Sequence, residues 1–179
     1  MEVLSTSLLN KLGNSVFSVS GEDLEEIVGN MLRKRQKTVA AAESCTGGYL
    51  GHRLTDVPGS SDYFLLSIVA YHNDQKIRLL YVPQDLLDKV GAVSSEVASA
   101  MAVGIKKRSS ADYGLAITGI AGPGGSSVDK PVGLVYTALA GPDHTEVKKN
   151  HFLGNREIIK FQSSQKALDM LRRQLLQTQ

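Results

Sequence analysis

The chain of 179 residues has one cysteine, Cys45, so it cannot form an intrachain disulfide. This scarcity is typical of a reducing compartment, and we expect a cytoplasmic protein. The four histidines include no H-x-x-x-H pair, and Cys45 has no second thiol at a metal-binding spacing. We therefore expect neither a metal site nor a bound cofactor.

The sequence also lacks a strong charge of either sign and a long apolar run. Its net charge is +2, and its basic residues form no long block. The densest basic run, residues 33–37, is typical of a solvated helix end, although a small nucleic-acid patch would look similar. These features argue against nucleic acid and membranes as partners.

The pattern of apolar residues predicts the order of the elements. Helical spacing covers residues 22–35, 46–56, 74–80, 84–89, 94–107 and 155–176. Strand patterns cover residues 38–42, 65–71 and 113–118, and a turn at residues 141–144 predicts a hairpin of residues 131–140 and 146–152. This order predicts a three-layer α/β/α sandwich with a mixed sheet, and the chain length suits one domain.

The first candidate site follows the predicted strand at residues 38–42. There Ser44, Cys45 and Thr46 precede Gly47 and Gly48, at the start of a predicted helix. A hydroxyl at a strand end, next to the free N–H groups of a helix start, suits nucleophilic attack on a carbonyl. The alternative is a capped strand-to-helix turn in which the hydroxyls serve only as N-caps.

The second candidate site follows the strand at residues 65–71. Tyr71 lies at the strand end, and Asn73 and Lys76 lie at the start of the next helix. A desolvated lysine has a lowered pKa and can act as a general base toward a hydroxyl, with Tyr71 relaying a proton or orienting it. The alternative is a solvated lysine beside a half-buried tyrosine.

The third candidate site is the glycine-rich segment of residues 118–127. Backbone N–H groups in such a segment can surround a phosphate or an oxyanion, whereas a flexible loop is the alternative. The pattern is neither a Walker A motif nor G-x-G-x-x-G. Its candidate binding residues are Thr118, Gly119, Ile120, Ala121, Gly122 and Gly124.

Two further residues were considered as site residues. Arg156 lies at a helix start, where a cation opposes the helix dipole, so we considered a phosphate-binding role beside that of an ordinary surface arginine. Cys45 has no histidine near it in sequence, and we expect it to be a buried small residue and not a nucleophile.

Together these segments resemble the C-terminal domain of the CinA family, which also occurs alone as a PncC-type nicotinamide-nucleotide amidase. The resemblance covers about residues 22–175, and residues 1–21 resemble the connector that precedes this domain in longer members. The matching segments are residues 42–48, 58–61, 71–76, 91–94, 118–125, 130–133 and 152–156.

The resemblance implies hydrolysis of the carboxamide of nicotinamide mononucleotide to nicotinate mononucleotide and ammonia. It implies Ser44 as the nucleophile and Lys76 as its base, with Tyr71 supporting the pair. Helix-start amides of Thr46, Gly47 and Gly48 would bind the oxyanion. The loop at residues 119–125 would hold the ribose phosphate end, with Ser60 and Ser61 helping, and a homodimer is expected.

The chain departs from the family pattern at His72, where serine is expected, and at Asp74, where glutamate is expected. His72 lies close in sequence to the proposed base, so we considered an effect on its pKa. Two other functions stay open at this point: a nucleotide- or phosphate-binding module without catalysis, and a nucleic-acid accessory protein linked to competence.

Overall fold

The computed structural model describes residues 11–177. Residues 1–10, which form about half of the predicted connector, lie outside this range. The described part of the connector contains one short 3-10 turn at Gly13–Ser15.

Six helices and five strands make up the described part of the chain. The helices are α1 (Leu24–Arg35), α2 (Tyr49–Asp56), α3 (Asn73–Leu80), α4 (Gln84–Val90), α5 (Ser95–Ser109) and α6 (Arg156–Gln177). The strands are β1 (Val39–Glu43), β2 (Phe64–Val69), β3 (Tyr113–Gly119), β4 (Leu134–Ala140) and β5 (Thr145–His151). No helix among these residues is long and apolar enough to cross a membrane.

The five strands form one mixed sheet in the order β2-β1-β3-β4-β5. Strand β1 is parallel to both β2 and β3, whereas β4 is antiparallel to β3 and to β5. The carboxyl ends of three parallel strands therefore meet at one edge of the sheet, which is where α/β proteins commonly bind ligands.

Helices cover both faces of the sheet, as the sequence predicts. On one face α1, α2 and α6 pack against Leu115, Ile117 and Val135. On the other face α3, α4 and α5 pack against small residues, among them Ala42 and Ala116. These small side chains let the helices approach closely: at Gly104 of α5, an added Cβ would lie 1.8 Å from the carbonyl oxygen of Leu80. The fold is a three-layer α/β/α sandwich.

Several predicted boundaries differ from the structure: the first strand of the hairpin, predicted from residue 131, begins at Leu134. Two of the differences concern the candidate site. The helix predicted from residue 46 begins at Tyr49, because Gly47 and Gly48 have φ values of 63° and 96°, outside the helical region. The predicted strand at residues 65–71 ends at Val69, so Tyr71 lies in the connection to α3.

Candidate active site

The candidate site lies at the carboxyl ends of β1 and β3. Ser44 directly follows β1, and its N–H donates to the carbonyl oxygen of Ile117 at 3.0 Å. Ala70, which directly follows β2, donates its N–H to the carbonyl oxygen of Glu43 at 2.8 Å. The ends of β1, β2 and β3 therefore hold the proposed nucleophile and the segment of the proposed base side by side.

A pocket of about 280 Å³ opens at this edge of the sheet. It brings together most of the residues that the sequence predicted from three separate segments. The predicted residues that line it are Ser44, Tyr71, Asn73, Lys76, Thr118, Gly119, Ile120, Ala121, Gly122, Gly124 and Arg156.

The hydroxyl of Ser44 faces this pocket without a partner. Within residues 11–177 its Oγ atom forms no hydrogen bond, although the backbone of Ser44 is held at both its N–H and its carbonyl group. The residue is 8% exposed. A nucleophilic hydroxyl is activated by a hydrogen bond to its base. In the described part of the chain Ser44 and Lys76 line the same pocket but form no hydrogen bond with each other.

Lys76 is buried, with 1% of its surface exposed, and it extends from α3 back to the end of β2. Its Nζ atom donates to the carbonyl oxygens of Ala70 at 2.9 Å and Tyr71 at 3.1 Å. Burial lowers the pKa of Lys76, and the proximity of Cys45 opposes this effect. A neutral amine has two N–H groups and one lone pair, so the two carbonyls can occupy both hydrogens and leave the lone pair as a base.

Tyr71 supports Lys76 through its backbone and not through its side chain. Its carbonyl oxygen accepts from Lys76, whereas its phenol oxygen accepts from Nη2 of Arg156 at 3.2 Å. The predicted proton relay through the phenol therefore has no direct contact with Lys76 to support it.

His72 does not contact the amine of Lys76. Its imidazole side chain is 76% exposed, and Nδ1 accepts from the N–H of Asp74 at 3.4 Å, which caps α3. The two departures from the family pattern thus contact each other in a helix cap that points away from the pocket.

Two of the three backbone amides that were predicted to bind the oxyanion already donate hydrogen bonds within the protein. The N–H of Gly47 donates to the carbonyl oxygen of Ser44, and the N–H of Gly48 donates to Oε2 of Glu43. These two groups are therefore not available to an oxyanion. Within residues 11–177, the N–H groups of Cys45 and Thr46 have no acceptor, and Cys45 lines the pocket.

Glu43 is a residue whose role the sequence did not reveal. Its fully buried carboxylate accepts from the N–H groups of Gly48, Leu50 and Gly51, and from the hydroxyl of Ser67. A carboxylate at a helix start satisfies its unpaired N–H groups and is favoured by the helix dipole. Glu43 thereby fixes α2 against the end of β1 and sets the shape of the turn. An acid directly before a glycine-containing helix start is a signal that could have predicted this role.

Thr46 and Cys45 lie in the same turn but differ in their exposure to the pocket. Thr46 is fully buried, does not line the pocket, and its Oγ1 atom has no hydrogen-bond partner among the described residues. Cys45 lines the pocket but is only 6% exposed, and burial raises the pKa of its thiol to about 12. A protonated thiol is a poor nucleophile, which agrees with the prediction of a buried small residue.

The glycine-rich loop and Arg156 form the opposite wall of the pocket. Nη1 of Arg156 donates to the carbonyl oxygen of Gly122 at 2.9 Å, which ties the loop to the start of α6. The hydroxyl of Thr118 donates to the carbonyl oxygen of Ala92 at 2.8 Å. Gly125, the last residue of the loop predicted to hold the ribose phosphate end, also lines the pocket. Ala92 and Val93 line it without having been predicted as site residues. These two carry no chemical signal in their side chains that could have pointed to a site.

Ser60 and Ser61 are not near the pocket. They lie in a 3-10 turn, Ser60–Asp62, that precedes β2, at the amino ends of the parallel strands. The length of β1, about 16 Å at ~3.3 Å per residue, separates them from the edge that carries Ser44. The structure does not bring these two serines to the pocket, because the turn that precedes β2 lies at the amino ends of the parallel strands.

Within the described part of the chain, no group of three or more His, Cys, Asp or Glu side chains could hold a metal ion. The groups that line the pocket include the Ser44 hydroxyl, the buried amine of Lys76, backbone amides and the guanidinium of Arg156.

Comparison with known proteins agrees with this geometry. The CinA C-terminal domain family matches residues 21–175. The chain belongs to the CinA family. It is 51% identical over 166 residues to a CinA-like protein of Geotalea uraniireducens, an alignment that covers 93% of this chain and 40% of that protein.

Solved CinA structures share the fold. A CinA superfamily protein of Klebsiella pneumoniae matches with a TM-score of 0.83 and 29% identity, over 86% of this chain and 96% of that chain. The competence/damage inducible protein CihA of Agrobacterium tumefaciens matches with a TM-score of 0.80 and 35% identity, over 87% of this chain and 97% of that chain.

The chain spans about 40% of the length of the curated CinA relatives it matches. Their names refer to CinA or to competence and damage induction, and the names state no reaction. The activity of this domain is therefore argued from its own pocket.

Proposed function

We propose that this CinA domain is an amidohydrolase that converts nicotinamide mononucleotide to nicotinate mononucleotide and ammonia. The observation that carries the proposal is that one pocket is lined by Ser44, whose hydroxyl is unengaged, and by Lys76, whose amine is buried. A serine and a lysine can together perform acyl transfer without histidine or metal.

In the first half of the reaction, Oγ of Ser44 attacks the carboxamide carbon while Lys76 takes the hydroxyl proton. The carbonyl oxygen becomes an oxyanion, for which the free N–H group of Cys45 is the donor, because Cys45 lines the pocket whereas Thr46 is fully buried and does not. Collapse of this intermediate breaks the C–N bond. Lys76 returns the proton to the leaving nitrogen, so that ammonia departs and an ester with Ser44 remains.

In the second half, water attacks the ester carbon while Lys76 takes a proton from it. The C–O bond to Ser44 then breaks, and Ser44 recovers its proton from Lys76. The product acid loses its remaining proton to the surrounding water and leaves as a carboxylate. Amides have a poor leaving group, and division into two acyl-transfer steps lowers the barrier that each step presents.

The other wall of the pocket suits the rest of the substrate. The backbone of the glycine-rich loop allows a ribose to approach closely, and Arg156 supplies positive charge for the phosphate end. The same wall would serve a phosphate-binding module without catalysis, and the assay must therefore separate binding from turnover.

The test measures binding of nicotinamide mononucleotide by calorimetry and, in parallel, the release of ammonia and nicotinate mononucleotide. We expect equal amounts of both products from the wild type, and binding without turnover in Ser44→Ala. Binding by the wild type with neither product released would reject the amidase and support the binding module.

A further inference from the structure

A second cavity lies beside the pocket, on the far side of Arg156. It measures about 340 Å³ and is lined by Tyr49, Arg156, Glu157 and Lys160. Arg156 lines both cavities, so the two adjoin at its side chain. Nothing in the acyl-transfer chemistry uses Tyr49 or Lys160.

Lys160 follows Arg156 by about one turn of α6, so the two side chains project from the same face of the helix. The Nζ atom of Lys160 lies 5.8 Å from the ring centroid of Tyr49. It would lie 3.8 Å from a Cβ atom added at Gly47, in the turn that begins at Ser44. Its ammonium group is thus held beside the turn that carries the proposed nucleophile.

The positive charges around the two cavities have no acidic partners. Within residues 11–177, the ion pairs involve neither Arg156 nor Lys160. Arg156 is exposed and Lys160 is half-buried, so a ligand can reach both side chains.

Glu157 is the single acidic residue among those that line either cavity, and it is exposed in the first turn of α6. Arg156 donates only to neutral oxygens, those of Gly122 and Tyr71, and so keeps its full charge. An excess of unpaired cations around one concave surface attracts an anionic group.

We propose that the second cavity is the phosphate subsite, in which Arg156 and Lys160 hold the phosphate from two sides. This inference rests on the proposed amidase function. In the bound substrate, the carboxamide would lie at Ser44, the ribose along the glycine-rich loop, and the phosphate in the second cavity, beyond Arg156. Lys160 then determines specificity, because it distinguishes a nucleotide from the corresponding nucleoside.

The test compares Lys160→Met and Lys160→Arg with the wild type. Lys166→Met is a matched control, because Lys166 lies on the same helix but lines a different groove, with Phe17 and Phe161. For each protein we would measure kcat and KM for nicotinamide mononucleotide and for nicotinamide riboside. Binding of ribose 5-phosphate would be measured by calorimetry at low and high salt.

We expect Lys160→Met to lower kcat/KM for the mononucleotide about ten- to a hundredfold, the usual effect of one charged hydrogen bond, mainly through KM. Lys160→Met should hydrolyse the riboside at the same rate as the wild type. Lys160→Arg should keep most of the wild-type kcat/KM for the mononucleotide. Binding of ribose 5-phosphate should weaken in Lys160→Met and at high salt, but not in Lys166→Met.

The subsite would be rejected if Lys160→Met lowered kcat/KM equally for the mononucleotide and the riboside. It would also be rejected if the wild type did not bind ribose 5-phosphate, or if Lys160→Met bound it as tightly as the wild type. The binding arm does not depend on catalysis. Lys160-dependent binding of ribose 5-phosphate in a protein that releases no ammonia would reject the amidase and retain the phosphate subsite.

Discussion

Lys76 donates from its Nζ atom to the carbonyl oxygen of Ala70 at 2.9 Å, across the connection between β2 and α3. Since Ala70 is itself bonded to Glu43 at the end of β1, this contact fixes the amine next to the residue that follows, Ser44. A lysine that is distant in sequence from Ser44 and buried at a strand end therefore lines the same pocket as the serine, and the proposed amidase uses it as the base.

The pH dependence of the reaction tests the state of Lys76. Only the neutral amine acts as a base, and burial lowers its pKa from the usual value of about 10.4. We expect kcat/KM to rise with pH and to level off at a pH below the ordinary lysine range. A pH–rate profile measures this directly. A rise that continues unchanged through pH 10 would show that the titrating group is not a desolvated lysine.

Tyr71→Phe separates the two contacts of Tyr71. The substitution removes the phenol oxygen that accepts from Arg156 but keeps the carbonyl oxygen that accepts from Lys76. We expect KM to increase because Arg156 is held less firmly, while the pH profile stays that of the wild type. A shifted profile would mean that the phenol acts on Lys76 or Ser44.

Glu43→Gln tests the anchor of α2. The side-chain amide can replace only part of the acceptor capacity that three backbone N–H groups and Ser67 now use. We expect a loss of about 1–3 kcal/mol in the free energy of unfolding, with lower activity, measured by urea denaturation. Glu146→Gln, which breaks only a partly exposed pair with Lys148, is the control and should cost about 0–1 kcal/mol. Equal losses in both variants would contradict the anchoring role.

Two alanine substitutions in the glycine-rich loop should differ sharply. Gly122 has a φ of +74°, and a Cβ atom added there would lie 2.6 Å from Cγ1 of Val132. At Gly124 nothing lies within 4 Å of an added Cβ atom. We expect Gly122→Ala to cost about 1–2 kcal/mol of stability and to raise KM, since strain there displaces the wall of the pocket. Gly124→Ala should unfold at the same temperature as the wild type. Thermal melts and steady-state kinetics of both variants test this prediction, and equal melting temperatures and equal KM values for the two variants would contradict it.

The sequence predicted the fold well because its patterns are local. Helix and strand periods and the turn at residues 141–144 each depend on neighbouring residues, and the three-layer sandwich follows from their order. The sequence also named Ser44, Lys76 and Arg156, which line one pocket, although the choice of Ser44 over Thr46 as the nucleophile came from the family resemblance.

The remaining features depend on contacts that no local pattern encodes. Because β2 runs parallel to β1, Ser60 and Ser61 lie at the amino ends of these strands, opposite the edge of the sheet that carries Ser44. Glu43 takes the N–H of Gly48, so the amides assigned to the oxyanion changed. The contact of Tyr71 with Arg156 joins residues 85 positions apart.

The central claim, that Ser44 is the nucleophile, is tested most directly by the steady-state hydrolysis of nicotinamide mononucleotide by Ser44→Ala beside Cys45→Ala. We predict that Ser44→Ala lowers kcat at least about a thousandfold, as removal of a nucleophile does. The kcat of Cys45→Ala should stay far above that of Ser44→Ala, because Cys45→Ala removes only a thiol whose pKa is raised by burial and which is therefore protonated. Near wild-type turnover by Ser44→Ala, or a loss confined to Cys45→Ala, would contradict the account.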